Sequence, residues 1–437
     1  MKRTLISDLA KHIGEEVLLQ GYVHIRRDHG KLIFIEFRDR TGMVQLVILP
    51  DNGEAILAVK EVRSEYILAV TGLVKERPLK KESAALPVEI EVKTLSVLGK
   101  PDTELPLEVS SPELSLNLET LLNNRTIALR HPQVRSIFTM YSELLFAYDE
   151  AMRGDGFVEI KTPKILDAAT EGGANFFKIK YFDRDAFLAQ SPQFYKQAGM
   201  SVFERVFEIG TVFRAEPHFT TRHVNEYTGL DAEMGFIDSV TDVMAELEKT
   251  MHHLFSHIGE HCQKELGYYQ ATVPEATAIP RIRLSEALEI LKKEYGKVVE
   301  NEDIDGEGER MICEYVKKTY DSDLVFLTHY RAHLRPFYSM PSADNPEYTE
   351  TFDLLFRGVE IASGGERIHD PEQLILNIKK KGLNPDDFKH YIDIFRYGAP
   401  KHGGWGLGSE RIIQKILGLG SIKEAVLYPR DVKRLTP

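Results

Sequence analysis

No run of about 18 apolar residues occurs in the 437-residue chain, so the sequence offers no candidate membrane-spanning helix. Only Cys262 and Cys313 are present, too few for a disulfide framework, and a reducing, cytoplasmic setting is expected. The opening stretch, MKRTLISDLAKHIGEE, turns acidic before a signal-peptide core could form. The phosphate loop G-x-x-x-x-G-K-[ST] is missing, and no dinucleotide fingerprint follows an early strand. Internal repeats and low-complexity tracts are missing as well. A formal net charge of −12 argues against indiscriminate nucleic-acid binding, though not against a local basic site. Residues 1–100 depart from that balance, with 16 Lys and Arg to 14 Asp and Glu, so this quarter repels a polyanion least.

What is present is an ordinary globular composition, 43% hydrophobic and 28% charged, in a chain long enough for two or three domains. In residues 1–100, VLLQGYVHIRR, KLIFIEFRDRTGMVQLVILP, YILAVTGLV and LPVEIEVKTLSVL are β-branched runs separated by turn signals such as Arg40-Thr41-Gly42. About five short strands in that length suit an OB-fold barrel, with a generic small sandwich as the alternative. Residues 101–130, which hold most of GKPDTELPLEVSSPELSLN, read as a linker. Residues 131–437 read as the larger domain. Apolar spacing predicts a helix from Val134 to Met152, and Pro163 interrupts the strand FVEIKTPKIL, placing it at an edge or interface. Residues 186–240 look strand-like, 240–266 helical, and about 267–345 an insertion around acidic NEDIDGEGER. DLLFRGVEIASGG follows as a strand pair and DPEQLILNIKKKG as a helix ending at Gly382. Grouped helices and strands joined by long loops predict an α+β fold, an antiparallel sheet flanked by helices, over a doubly wound one.

Chemistry concentrates in a few segments. In TVFRAEPHFTTRHVNEYTGLDAEMGF, Arg214 and Glu216 share side-chain parity at a strand end, while Arg222 and His223 stand on the returning loop. An isolated R-x-E is an ordinary ion pair. A second arginine across the loop makes a clamp for both ends of a polyphosphate, with Glu216 free to accept from an exocyclic amine. HGGWGLGSERI carries Gly403, Gly404, Gly406 and Gly408 before Glu410 and Arg411 open a helix. Such glycines allow close approach of a flat ligand or phosphate, although a glycine-packed helix entry is the plain alternative. Arg411 in a first helical turn opposes the helix dipole, which predicts an anionic partner. Asp353, Glu360 and Ser363 offer hard oxygens of the kind that hold Mg2+ together with phosphates, and Arg367 lies just beyond. AQSPQFYKQ adds Gln190, Ser191, Gln193 and Lys196, and ATEGGANFF adds Glu171. A Lys and an Arg converging would grip a small carboxylate while Glu171 holds an ammonium, the two ends of an acidic amino acid.

FVEIKTPKIL, FRAE…TRH and GLGSERI resemble motifs 1, 2 and 3 of the class II aminoacyl-tRNA synthetases. ATEGG, QSPQFYKQ, EIASGGERIHD and YPRDVKRLTP are similar to the archaeal-type aspartyl-tRNA synthetases, and the likeness spans almost the whole chain. The resemblance implies a class II catalytic domain and an OB domain that reads the anticodon. By motif position Arg214 would hold the α-phosphate and the aspartate α-carboxylate, and Glu216 would meet the adenine amine. Arg222 and Arg411 would grip the distal phosphates, with His223, Val224, Gly408, Ser409 and Glu410 beside the nucleotide. Glu360 and Ser363, with Asp353, would hold Mg2+. Glu171 would contact the substrate ammonium; Gln193 and Ser363 would line the amino-acid subsite, and Lys196 and Arg367 would take its side-chain carboxylate. Pro163 would lie at a homodimer interface. Phe34, Gln45 and Glu89, or its neighbour Glu91, would contact the anticodon.

Asparaginyl-tRNA synthetases are similar in all three motifs but usually lack the lysine of QSPQFYKQ, so Lys196 points to aspartate. A tRNA-independent asparagine synthetase would have no use for the barrel, and a noncatalytic RNA-binding paralogue would not need Arg214, Glu360 and Arg411. His24 stands where discriminating relatives tend to have Trp, and Pro78-Leu79 lacks the Lys that follows the loop proline there. These departures imply charging of tRNA(Asn) beside tRNA(Asp). Pro217 also departs from the acidic residue usual after FRAE. His253, His257 and His261, with Cys262 adjacent, share a helical face, but ligands in line along a helix converge poorly on zinc. A partly solvated face is expected there.

Overall fold

The computed structural model describes the chain apart from residues 31, 78–85, 112, 168–175, 218–219, 276–277 and 301. It divides into two compact units, Met1–His131 and Pro132–Pro437. No helix among the described residues is long and apolar enough to cross a membrane. Cys262 and Cys313 are both buried free thiols.

In the first unit, five strands close a barrel in the order Glu16–Asp28, Ile33–Arg38, Met43–Ile48, Val88–Gly99 and Ile67–Glu76. All neighbours are antiparallel except Met43–Ile48 with Val88–Gly99, which run parallel. Alternate residues such as Leu19, Ile35, Leu46, Val70 and Ile90 point inward and fill the core, as the two-residue period of a strand requires. Residues 101–131 belong to this unit. They include helices Leu118–Asn123 and Arg125–Ala128 and a small apolar cluster of Leu107, Val109 and Ala128.

The second unit is built on an eight-stranded sheet. Its order is Arg281–Arg283, Leu324–Thr328, Thr351–Phe356, Val359–Glu366, His402–Gly408, Glu226–Gly235, Arg205–Phe213 and Val158–Glu159. The six interior strands are antiparallel and only the two edge strands pair parallel. Helices Pro132–Gly154, Val240–His261 and Ser409–Leu417 bury their apolar stripes, with Leu230, Leu354, Trp405 and Leu407 of the sheet, in one large core. Ser239 and Asp242 close a capping box at the start of the second of these helices. The opposite face of the sheet carries the site.

Two segments differ from expectation. Residues 281–328 extend the sheet by two strands and add helices Leu284–Tyr295 and Gly306–Tyr320. Within the strand-like 186–240 stretch, Gln193–Phe203 is a helix. Its buried residues are Gln193, Lys196, Gln197 and Met200, so the helical spacing is present but three of the four are polar. Hydropathy therefore hides it.

Candidate active site

On the strand Glu226–Gly235, Leu230, Ala232 and Met234 enter the core, which forces Asp231 and Glu233 onto the other face. The neighbouring strand opposes Gly406 to Asp231 and Gly404 to Glu233. A Cβ on Gly406 would stand 3.3 Å from Asp231 Oδ1, so the bare backbone is what leaves the floor of the cleft open. Above that floor lies a cavity of about 310 Å3.

Two cations reach this floor from different elements. Lys196, 2% exposed, donates from its helix to Asp231 Oδ1 at 2.9 Å and to the Trp405 carbonyl at 2.8 Å, with Glu233 Oε2 at 3.6 Å. Arg367, just past the strand Val359–Glu366, donates through Nε to Glu233 Oε1 at 3.0 Å and through Nη2 to the Gly404 carbonyl at 2.9 Å. Burial opposes the charge on Glu233, but the cations of Arg367 and Lys196 outweigh it and hold its carboxyl below the usual range. Asp231 goes the other way: burial pushes it up despite Lys196.

Behind the floor runs a buried chain of neutral groups. Gln193 Nε2 and the Tyr391 hydroxyl both donate to Gln197 Oε1 at 2.8 Å, and Gln197 Nε2 lies 2.7 Å from His402 Nε2. His402 Nδ1 is 2.9 Å from the Pro400 carbonyl, so Nδ1 carries the proton and Nε2 accepts from the amide. Burial pushes the His402 imidazole down to about 4. Gln193 thus turns its donor inward and its Oε1 stays available.

The nucleotide-type residues gather at the other end of the cavity. Arg214 lies over the Tyr227 ring at 5.5 Å and 3.9 Å from Glu216, which also meets His223 at 3.3 Å. Asn225 Nδ2 donates to the carbonyls of Arg214 and Glu216 and fixes the loop entry. Arg411 Nη1 donates to the Glu360 carbonyl at 2.7 Å, with Glu360 Oε2 at 3.6 Å, supplying the anionic partner that its place in the helix demanded. Burial and then the charge of Asp353 raise the Glu360 carboxyl, although 37% of its side chain still faces the cleft. Arg222 is paired with Glu309, and its guanidinium lies so close to Gly306 that a side chain there would push the guanidinium aside.

Gln193, Lys196, Ser363 and Arg367 line this cavity together with Arg214, Glu216, Arg222, His223 and Val224. Glu360, Gly408, Glu410 and Arg411 complete the set drawn from the sequence. Asp353 faces a smaller polar cavity that shares Arg335 and Glu360 with the first. Ser409 and Glu410 turn their side chains to structural duty. Glu410 accepts from Thr228 N and Tyr141, and the Ser409 hydroxyl lies 2.9 Å from both Glu410 Oε2 and the Thr228 carbonyl. Glu171 and Pro78 lie outside the described residues. Asp231, Glu233, Gln197, His402, Glu309 and Arg335 were not picked out by sequence. The signal for the first two was an acid at alternate positions of an otherwise apolar strand.

In the barrel, Gln45 faces Glu36 on one neighbouring strand and Glu89 on the other, and its Nε2 donates to Glu89 Oε2 at 3.0 Å. Phe34 shares the outward parity of Glu36 and meets His29 edge-on at 5.7 Å. Phe34, Gln45 and Glu89 therefore form one half-exposed patch. His24 sits at a β-bulge, 7% exposed, where burial and then Arg38 lower its imidazole. On the helix Val240–His261, His253 pairs with Glu150 and His257 with Glu143. Among the described residues no three His, Cys, Asp or Glu are placed to hold a metal.

A family model described as tRNA synthetases class II (D, K and N) matches residues 117–432, and one described as OB-fold nucleic acid binding domain matches residues 17–98. The chain belongs to the class II tRNA synthetases of this D, K and N group. Among relatives of this class II chain, the aspartate--tRNA(Asp/Asn) ligase of Aeropyrum pernix is 43% identical over 439 residues, covering 99% of this chain and 98% of its own. The aspartate--tRNA(Asp) ligase of Pyrococcus abyssi is 43% identical over 429 residues, with 97% of each chain covered. The crystal structure of Pyrococcus horikoshii asparaginyl-tRNA synthetase complexed with asparaginyl-adenylate superposes with a TM-score of 0.92 at 30% identity, covering 100% of both chains.

Proposed function

We propose that this class II synthetase is an aspartate–tRNA ligase, which activates L-aspartate with ATP and passes the aspartyl group to tRNA(Asp). The observation that carries the reading is the pair of buried cations, Lys196 and Arg367, on the floor of a cleft whose far end gathers Arg214, Arg222 and Arg411. A second carboxylate joins that floor favourably, because Asp231 is already drawn toward its protonated form. A neutral amide would leave a cation poorly matched, and polar mismatch of this kind discriminates by about 10⁴ or more. The asparaginyl likeness is at 30% identity, whereas the aspartate--tRNA(Asp/Asn) ligase of Aeropyrum pernix shares 43% of the sequence.

Activation needs little proton transfer. The α-carboxylate of aspartate attacks the α-phosphorus of ATP in line, the bond to the bridging oxygen breaks, and its electron pair leaves with pyrophosphate. Arg214 spans the α-phosphate and the attacking carboxylate, while Arg222 and Arg411 hold the distal phosphates. Their charges are fixed before the reaction, which is the condition for electrostatic stabilisation. Glu216 accepts from the adenine amine, and Gln193 Oε1 faces the substrate. The terminal ribose of tRNA then attacks the mixed anhydride and AMP leaves.

Asp353 and Ser363 are register partners on adjacent strands, with Glu360 nearby on the second, and Asp353 Oδ1 is buried without a hydrogen bond. This oxygen set suits Mg2+ shared with ATP, where the ion would offset phosphate charge. A homodimer is supported by the apolar residues left exposed on either side of Pro163 in the chain, Val158 and Ile165. Charging of tRNA(Asn) as well rests on His24, and the two relatives of differing tRNA range are equally similar to this chain.

The test is aminoacylation with radiolabelled aspartate, ATP and a transcript of tRNA(Asp), tRNA(Asn) or neither. Labelling of tRNA(Asp) is expected, with labelling of tRNA(Asn) at a comparable rate. Asparagine competing equally with aspartate in ATP–pyrophosphate exchange would reject the amino-acid assignment.

A further inference from the structure

Arg335 belongs to none of the motifs above, yet it lies against the candidate metal ligands. Its guanidinium stacks 3.6 Å over the Tyr330 ring, Nη2 is 2.7 Å from Asp353 Oδ2, and Nη1 donates to Ser363 Oγ at 3.2 Å. A protein cation thus touches two of the three groups that a divalent ion would use. The side chains of Arg335 and Asp353 are 13% and 12% exposed, so water screens this pair little.

The pair is not saturated. Arg335 Nε and Asp353 Oδ1 are both buried without a hydrogen bond. Two buried charges with unused hydrogen-bonding capacity gain little net stability from each other, which makes an exchange of partners inexpensive. The Tyr330 ring would keep the guanidinium in place once Asp353 turned to a new partner. An incoming polyphosphate would in turn offer Arg335 the anion it gives up.

We propose that Arg335 is the resident counter-cation of the metal-ligand set. It neutralises Asp353 and holds Ser363 while no nucleotide is bound, and cedes their oxygens to the divalent ion that arrives with the triphosphate. The inference rests on reading Asp353, Glu360 and Ser363 as ligands of that ion. Its consequence is ordered loading: a bare divalent cation meets the charge of Arg335 and is refused, while a metal–nucleotide complex is accepted.

The test is Mn2+ binding to the full chain, followed by the paramagnetic resonance of the free ion, with and without an ATP analogue methylene-bridged between the α and β phosphates. Wild type should bind Mn2+ weakly alone and tightly with the analogue. Arg335→Gln should bind Mn2+ alone about ten-fold more tightly than wild type, the scale of one neighbouring charge at intermediate dielectric, and the gap should narrow with the analogue. Arg335→Lys keeps the charge and should stay within about two-fold of wild type. A Gln variant whose nucleotide-free affinity is unchanged or weaker overturns the proposal. If that variant does not fold, the Lys variant decides: a wild-type affinity supports the proposal, and a ten-fold gain with the charge retained overturns it. Wild type that takes up no Mn2+ even with the analogue would bring down the metal reading itself, and this inference with it.

Discussion

Lys196 and Asp231 face each other at 2.9 Å in a site almost closed to solvent, one on a helix and the other on the central sheet. The contact ties the helix Gln193–Phe203 to the floor of the cleft, so a single ion pair serves both the fold and the expected substrate. Removing one partner leaves the other buried and unmatched. Lys196→Met is predicted to lose about 3 kcal/mol of stability, near the low end for breaking a buried pair because Asp231 can protonate. Aspartate activation should fall more than about 100-fold with it. Lys196→Met with Asp231→Asn should regain most of the stability but none of the activity, read by urea unfolding and pyrophosphate exchange. Recovery of exchange in the double variant would remove Lys196 from substrate binding.

Arg214 presents the opposite case. Its side chain is 42% exposed and its Glu216 partner stands 3.9 Å away, so the pair contributes little to folding. Arg214→Ala is predicted to leave the unfolding midpoint close to wild type while raising the activation barrier by about 2–4 kcal/mol, the scale for one oriented charge donor. ATP–pyrophosphate exchange measures it; a near wild-type rate would exclude Arg214 from the chemistry.

The two behaviours mark what the sequence made legible. The barrel, the antiparallel sheet and its flanking helices could be read because their apolar periodicities are those of half-buried elements. The arginines were legible because strand-end parity and a glycine-rich helix entry limit where such groups can point. The helix Gln193–Phe203 was not, because the stripe it buries is polar. Arg335 was hidden for a related reason: its partners lie on other elements, and no local pattern announces a pair such as Arg335 with Ser363, whereas Asp231 and Glu233 left only the signal of acids alternating with apolar residues. The stretch of about 267–345 reads as an insertion because the two strands within it, Arg281–Arg283 and Leu324–Thr328, are only three and five residues long.

His402 gives a prediction with a defined sign. Its folded-state value, about 4, lies below the ordinary 6.5, so between these the unfolded chain binds the extra proton. Stability should therefore rise with pH across that window and fall as pH drops from 6.5 toward 4. The contribution at neutral pH is on the order of 3 kcal/mol relative to acid. His402→Gln retains a donor for Pro400 and an acceptor for Gln197 but cannot titrate. Its urea midpoint should depend less steeply on pH over this window than that of wild type. Parallel profiles for the two proteins would mean that other groups carry the dependence.

Phe34 isolates the barrel from the chemistry. It stands half-exposed on the outer face beside Gln45 and Glu89, and it contributes to neither hydrophobic core. An aromatic ring placed so is suited to stack on an unpaired base, and loss of such a stack costs about 1–3 kcal/mol. Phe34→Ala should therefore raise KM for tRNA about ten-fold or more, leave pyrophosphate exchange unchanged, and shift the thermal midpoint little. Exchange does not require tRNA to be read, so the two assays separate recognition from activation. A variant that lost both together would show that Phe34 supports the fold, and the anticodon patch would then have to be sought elsewhere on the barrel.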